Sequence, residues 1–307
     1  MPASRTIPLF MPLSHLLLAL SVVFAWGTNF VIIKWGLAEF PPLLFSALRF
    51  LLSAVPWVFL LPRPPVRWTL LAGVGTLLSL GQFGLLYWAM QHDISPGLAS
   101  LVVQAQVFFT ILLAMMLRGE RLRRVQSLAL LLAVAGYAVV GWHGATEPSA
   151  AITLLGLAMV LAAAFCWACS NTLVRSAGKV NMVALTTWAS LYGTVPVLLA
   201  SLLFEGPAAI AHALSHASAH GWLAALWQAV GNTTFAFGAW NWLMARHPAA
   251  TVAPTALLVP VFGMLSSAWF MAEPLPGWKL SAAMLVLGGL ALNLYAGRLA
   301  SLANRRA

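Results

Sequence analysis

Charge is what this chain has least of: aspartate, glutamate, lysine and arginine make up 7% of its 307 residues, against about 25% in a soluble globular domain. With 62% of the residues hydrophobic, a water-soluble fold is excluded. The shortage is sharpest for acids, of which there are six. None lies inside an apolar run, and all seven histidines stand at or beyond the ends of such runs, so no intramembrane proton carrier is visible. Cysteine is rarer still. Cys166 and Cys169 have a C-x-x-C spacing, but they sit in an apolar stretch without a neighbouring histidine. Small packing residues are the plainer reading there than redox or metal chemistry, and no disulfide framework is implied. Neither H-E-x-x-H nor G-x-S-x-G occurs, and there is no phosphate-binding loop. The chain is therefore not expected to be an enzyme or a nucleotide-driven pump, and no cofactor or metal is expected. His212, His216 and His220, spaced by four, would align on one helical face. An amphipathic loop helix explains them better than a metal site, since no cysteine or acid joins them.

What the chain has instead is apolar windows of roughly 20 residues, each long enough to cross a hydrocarbon core of about 30 Å. They fall at 13–33, 41–61, 68–90, 97–117, 125–143, 152–174, 182–204, 222–244, 250–271 and 278–297. The spacing predicts an all-α polytopic membrane protein with ten spans. The first window lacks a small-x-small cleavage site, so a retained helix is expected rather than a signal peptide. Net charge is +10, but the basic residues are distributed as a topology signal rather than as a nucleic-acid footprint. All of the 16 except Lys34, Arg49 and Lys279 fall on one face of the ten-span arrangement. Retention of positive charge in the cytoplasm then places both termini there. Of the acids, Glu39, Asp93, Glu147, Glu205 and Glu273 fall outside and Glu120 inside.

An internal repeat organises the windows. Tyr87–Leu122 aligns without a gap on Trp240–Leu275, pairing Glu120 with Glu273, and the same offset pairs Gly136 with Gly289. Upstream the offset shrinks, so that Trp26 corresponds to Trp167 and Pro56 to Pro196. The halves run over 13–144 (spans 1–5) and 152–298 (spans 6–10). Five spans is an odd number, so the second half enters the membrane inverted, as in secondary transporters with a midplane site.

Polar groups inside the spans are costly and therefore informative. Gln104 and Gln106 lie near the middle of span 4 and differ in direction by about 200°, so they cannot face one cavity together. Gln82 and Ser79 in span 3 lie at the repeat offset from span 8, where Asn232 falls opposite Ser79. Asn29 in span 1 and Asn171 in span 6 are further amides. A shared cavity and interhelical bonding are both compatible with this pattern. Arg49, about eight residues into span 2, either attracts a substrate carboxylate or ties helix ends together. Pro254 and Pro260 in span 9 release the carbonyls of Ala250 and Ala256, which either face a cargo amine or mark a hinge.

Several stretches resemble the EamA family of the drug/metabolite transporter superfamily: Trp26–Lys34, Pro41-Pro42-Leu43, Leu48-Arg49-Phe50, Gly97–Gln106, Phe108–Ile111, Gly119-Glu120-Arg121-Leu122, Ala162–Cys169, Val252-Ala253-Pro254 and Leu257–Val261. The Gln-x-Gln stretch is similar to the narrower group that exports O-acetylserine and cysteine. The resemblance implies ten helices in two inverted five-helix repeats, a central cavity, and efflux of amino-acid metabolites by alternating access across a bacterial inner membrane. The expected partners are a small-molecule cargo and the lipid bilayer, without nucleic acid, and a monomer is compatible with the reading. From their polar positions inside the spans, Asn29, Arg49, Gln82, Gln104, Gln106, Asn171 and Asn232 are the candidate cargo contacts, with Pro254 and Pro260 as gating or hinge candidates. The chain departs from the pattern at Ala272-Glu273-Pro274-Leu275, where the first repeat has Gly-Glu. Export of another amino acid or a nucleotide-related metabolite, or a non-transporting scaffold, are the alternatives.

Overall fold

The structure, a computed structural model, describes residues 11–119 and 124–306. Glu120, Arg121 and Leu122 of the Gly-Glu-Arg-Leu motif, and Arg5, lie outside them. Among the described residues the chain is helical, apart from one isolated bridge between Ile94 and Ile152. Eight helices among the described residues are long and apolar enough to cross a membrane. In chain order the helices are α1 (Leu13–Leu37), α2 (Pro42–Val58), α3 (Trp68–His92), α4 (Pro96–Leu117), α5 (Arg124–Thr146), α6 (Leu154–Ser176), α7 (Met182–Phe204), α8 (Pro207–His216), α9 (219–246), α10 (249–271) and α11 (Gly277–Arg306). Two expected spans take a different form. The second closes after 17 residues, as α2, and the eighth, within α9, is divided by a wider-turned segment.

The bundle turns its apolar side chains outward as well as inward. Trp269, Phe59 and Met116 are more than four-fifths exposed, which is the surface a hydrocarbon solvent requires rather than water. The chain is a multi-pass membrane protein. Inside, α5 packs along α11, α2 along α7, α1 along α10, α4 against α6 and α10, and α9 against α1 and α2. Small residues permit the close crossings. A Cβ on Gly75 of α3 would lie 2.7 Å from the Gly193 nitrogen of α7, so neither position has room for a side chain. Gly136 meets Val286 and Ala282 of α11, while Gly289 meets Ala133 of α5.

The scarce acids hold helix starts. Glu205 accepts from the backbone N–H groups of Leu43 and Leu44 (2.6 and 3.0 Å) and from Ser201, anchoring the first turn of α2. Glu273 accepts from the Gly97 N–H at the start of α4 (3.0 Å), from Ser95 and Ser267, and from Lys279 at 2.8 Å. Glu39 takes the Ser218 N–H and hydroxyl ahead of α9, and Asp93 takes the hydroxyl of Thr153, the N-cap of α6. The positive end of a helix dipole and its unsatisfied N–H groups attract carboxylates to these positions. Lys34 mirrors them at a helix end, donating to the carbonyls of Met90 (2.7 Å) and Gln91 (2.9 Å).

One expectation is corrected. His212 and His216 stack on α8 with centroids 4.3 Å apart, but the chain turns extended at Ala217 and His220 belongs to α9, so the three imidazoles do not share a face. Among the described residues no three potential metal ligands come together.

Candidate functional site

Four of the inner helices are irregular part-way along their length. α3 widens to π geometry over Leu77–Gly84 and α9 over Trp227–Ala236, while α4 tightens to 3-10 geometry over Val103–Ala105 and α10 over Ala253–Leu257. Displaced by 153 residues, Leu77–Gly84 becomes 230–237 and Val103–Ala105 becomes 256–258, so each irregularity overlaps its counterpart. Such stretches free backbone groups inside a membrane, which is tolerable only where protein or a lined cavity satisfies them. Pro254 opens the 3-10 stretch of α10 and Pro260 is buried just beyond it.

The π stretch of α9 carries the centre of the site. Gln228 and Asn232, four residues apart, point at Arg49 of α2. Nη1 of Arg49 donates to Gln228 Oε1 at 2.7 Å and to the Tyr87 hydroxyl at 3.1 Å, and the Tyr87 hydroxyl donates in turn to Gln228 Oε1 at 3.2 Å. With the Asn232 amide oriented to suit its neighbours, its oxygen accepts from Arg49 Nη2 at 2.9 Å and from Asn29 Nδ2 at 3.2 Å. Gln228 Nε2 donates to Asn29 Oδ1 at 2.8 Å and closes the ring. The guanidinium carbon stands 3.7 Å from the centre of the Phe83 ring. Arg49 is 2% exposed and Gln228 fully buried. A lone buried guanidinium would cost several kcal/mol. Neutral oxygens and an aromatic face offset that cost here, yet among the described residues no carboxylate joins the ring.

Beside the ring is a cavity of about 190 Å³ between α2, α7 and α9. Ser53, Thr187, Ser190, Thr233, Thr234 and Asn241 give it hydroxyl and amide walls, and Trp57 and Phe237 close it with aromatic faces. Ser53 connects the two, since its hydroxyl donates to the Arg49 carbonyl at 2.7 Å.

Of the residues singled out in the sequence, the structure brings Asn29, Arg49 and Asn232 together. Gln106 and Asn171 form a separate pair between α4 and α6, with Nδ2 3.4 Å from Oε1. Gln104 is buried in the 3-10 turn of α4. Gln82 is buried in the π stretch of α3, and its Oε1 has no partner among the described residues. Tyr87 and Gln228 were not singled out. Gln228 stands one turn before Asn232 on the same face, which was a legible signal, whereas a tyrosine in an apolar helix gives none.

A model of the EamA-like transporter family matches residues 13–142 and 154–295. A Salmonella typhimurium protein described as a probable amino-acid metabolite efflux pump is 41% identical, over 92% of this chain and 95% of its own. A protein of the same description from Escherichia coli K12 is 38% identical, over 91% and 94%. A crystal structure 22% identical in sequence shares the fold, with a TM-score of 0.62 over 93% of this chain and 98% of the other.

Proposed function

The chain belongs to the EamA-like transporter family, and on that premise we propose that it exports small amino-acid metabolites of the O-acetylserine and cysteine type across a bacterial inner membrane. The observation that carries the reading is the buried Arg49 ring beside a hydroxyl-lined cavity, both of which draw residues from the π stretch of α9. A polar pocket of this kind is expensive in a bilayer and is kept where something polar passes. The relatives described as probable efflux pumps support the direction and the cargo class.

The transport cycle in this reading is alternating access by two inverted repeats, 13–144 and 152–298, with ten spans supplied by all helices except α8. Two features support it. The paired irregularities of α3 with α9 and α4 with α10 recur at one offset. The packing is also reciprocal, since α1 lies on α10 as α6 lies on α4. Both termini are cytoplasmic in this arrangement, on the side rich in Lys and Arg. Asn29, Arg49 and Asn232, with Gln228 and Tyr87, are the first contacts for cargo. Gln82, Gln104, Gln106 and Asn171 line the opposite half of the path, and Pro254 and Pro260 let α10 flex. Expression in an efflux-deficient strain is expected to raise extracellular cysteine and O-acetylserine. Unchanged levels, with the protein confirmed in the membrane, would reject this cargo.

A further inference from the structure

Resting on the exporter reading, we infer that Arg49 is the receptor for the carboxylate of the cargo, and that the side-chain oxygens of Gln228 and Asn232 hold the place on the guanidinium that this carboxylate takes. A guanidinium presents its donors in a planar fork that matches two oxygens side by side. The structure fills the fork in that manner. Nη1 meets Gln228 Oε1 at 2.7 Å, and Nη2 meets Asn232 Oδ1 at 2.9 Å. Both oxygens are neutral, so the geometry of a carboxylate is present without its charge.

The acids among the described residues do not supply that charge. Glu39, Asp93, Glu205 and Glu273 are engaged at helix starts, and Glu147 stands by His143 at 3.6 Å. A monocarboxylate is therefore the ligand whose charge the ring matches. Exchange replaces contacts between a guanidinium and neutral oxygens by a bidentate ion pair, the planar fork-to-fork arrangement by which arginine recognises carboxylates. Once displaced, the Gln228 and Asn232 amides turn about their terminal torsions and offer their own donors and acceptors to the cargo. The π stretch that carries both residues, and Ser53 in the cavity wall four residues from Arg49, put the exchange within one helical turn of the cavity.

Among the described residues no acid lines the cavity or joins the ring, so no carboxylate there awaits a cargo ammonium group. The cargo is consequently read by its carboxylate, and its amine is dispensable. An amino acid and its N-acyl derivative are both ligands, while the matching amine without a carboxylate is not.

The test uses the purified full-length protein in proteoliposomes, with labelled L-cysteine under reducing conditions as tracer. N-acetyl-L-cysteine keeps the carboxylate and removes the ammonium charge, whereas cysteamine does the opposite. N-acetyl-L-cysteine is expected to compete within about threefold of unlabelled cysteine and cysteamine to be at least ~10-fold weaker, the penalty of leaving a site's polar group unmatched. The near-isosteric Gln228→Glu variant places a permanent carboxylate on Arg49. It is expected to fold and reach the membrane as the parent does, and to lose at least ~10-fold in cysteine flux. Cysteamine competing as well as N-acetyl-L-cysteine, or a folded Gln228→Glu that transports normally, would overturn this inference and leave the exporter reading standing. Absence of any cysteine or O-acetylserine flux in the parent would overturn both. The competition pattern is read on the unmodified protein, so it decides the matter even if the variant does not fold.

Discussion

Glu273 shows how a rare charge is used at the level of one residue. Burial alone would raise its carboxyl, but hydrogen bonds from Lys279, Ser267 and Ser95, together with the Lys279 charge, hold it below the ordinary value of 4.5. A depressed carboxylate contributes stability that is present above 4.5 and is lost as the pH falls through the lowered folded value. The melting temperature in detergent is therefore expected to fall as the pH drops below 4.5. Glu273→Gln, which leaves Lys279 buried without its partner, is expected to cost about 3 kcal/mol at pH 7 and to blunt the acid sensitivity. A melting curve for the variant that matches the parent at both pH values would contradict the assignment. Within the site, Asn29, Arg49 and Asn232 were legible because an amide or a guanidinium in an apolar span demands a partner. Tyr87 was not legible, because a tyrosine ring is at home in such a span and only its hydroxyl position in three dimensions shows the bond to Arg49.

Helix termini and interruptions carry the next set of expectations. Gly119 ends α4 at φ 66° and Ala272, its counterpart at the repeat offset, ends α10 at φ 51°. Left-handed backbone suits glycine and penalises alanine by about 1 kcal/mol. Ala272→Gly is thus expected to stabilise the protein by about that amount in a thermal or chemical unfolding assay. Gly75→Val should do the reverse, because it would force α3 away from α7, at an expected cost of about 1–3 kcal/mol. Unchanged stability would mean that the Gly75–Gly193 crossing is looser than the 2.7 Å approach implies. The windows and the proline sites could be read from hydropathy and from missing N–H groups. The π and 3-10 stretches could not, because they arise where packing competes with the ordinary helical ladder. The short α2 was likewise hidden, since hydropathy continues through Phe59-Leu60-Leu61 after the helix has closed.

For the whole molecule, the sidedness of the loops is the testable quantity. With Cys166 and Cys169 replaced by alanine, Ser149→Cys between the halves is expected to react with a membrane-impermeant thiol reagent in intact cells. Arg63→Cys, in the loop after α2, is expected to react only after the membrane is opened. The opposite pattern would invert the topology read from the lysines and arginines. The likeness of Tyr87–Leu122 to Trp240–Leu275 was legible because their residues match at one offset without a gap. The asymmetry of the site was not, since the ring is built once, from Asn29, Arg49 and Tyr87 before residue 144 and Gln228 and Asn232 after residue 152, and the residue at the 153-residue offset from Asn232 is Ser79, whose hydroxyl bonds the Gly193 carbonyl. The most direct test of the central claim is flux of labelled O-acetylserine and cysteine through the purified protein in sealed vesicles. Saturable flux well above that of protein-free vesicles, inhibited by either unlabelled compound, is the predicted result. Folded, reconstituted protein that moves neither compound faster than bare lipid would contradict it.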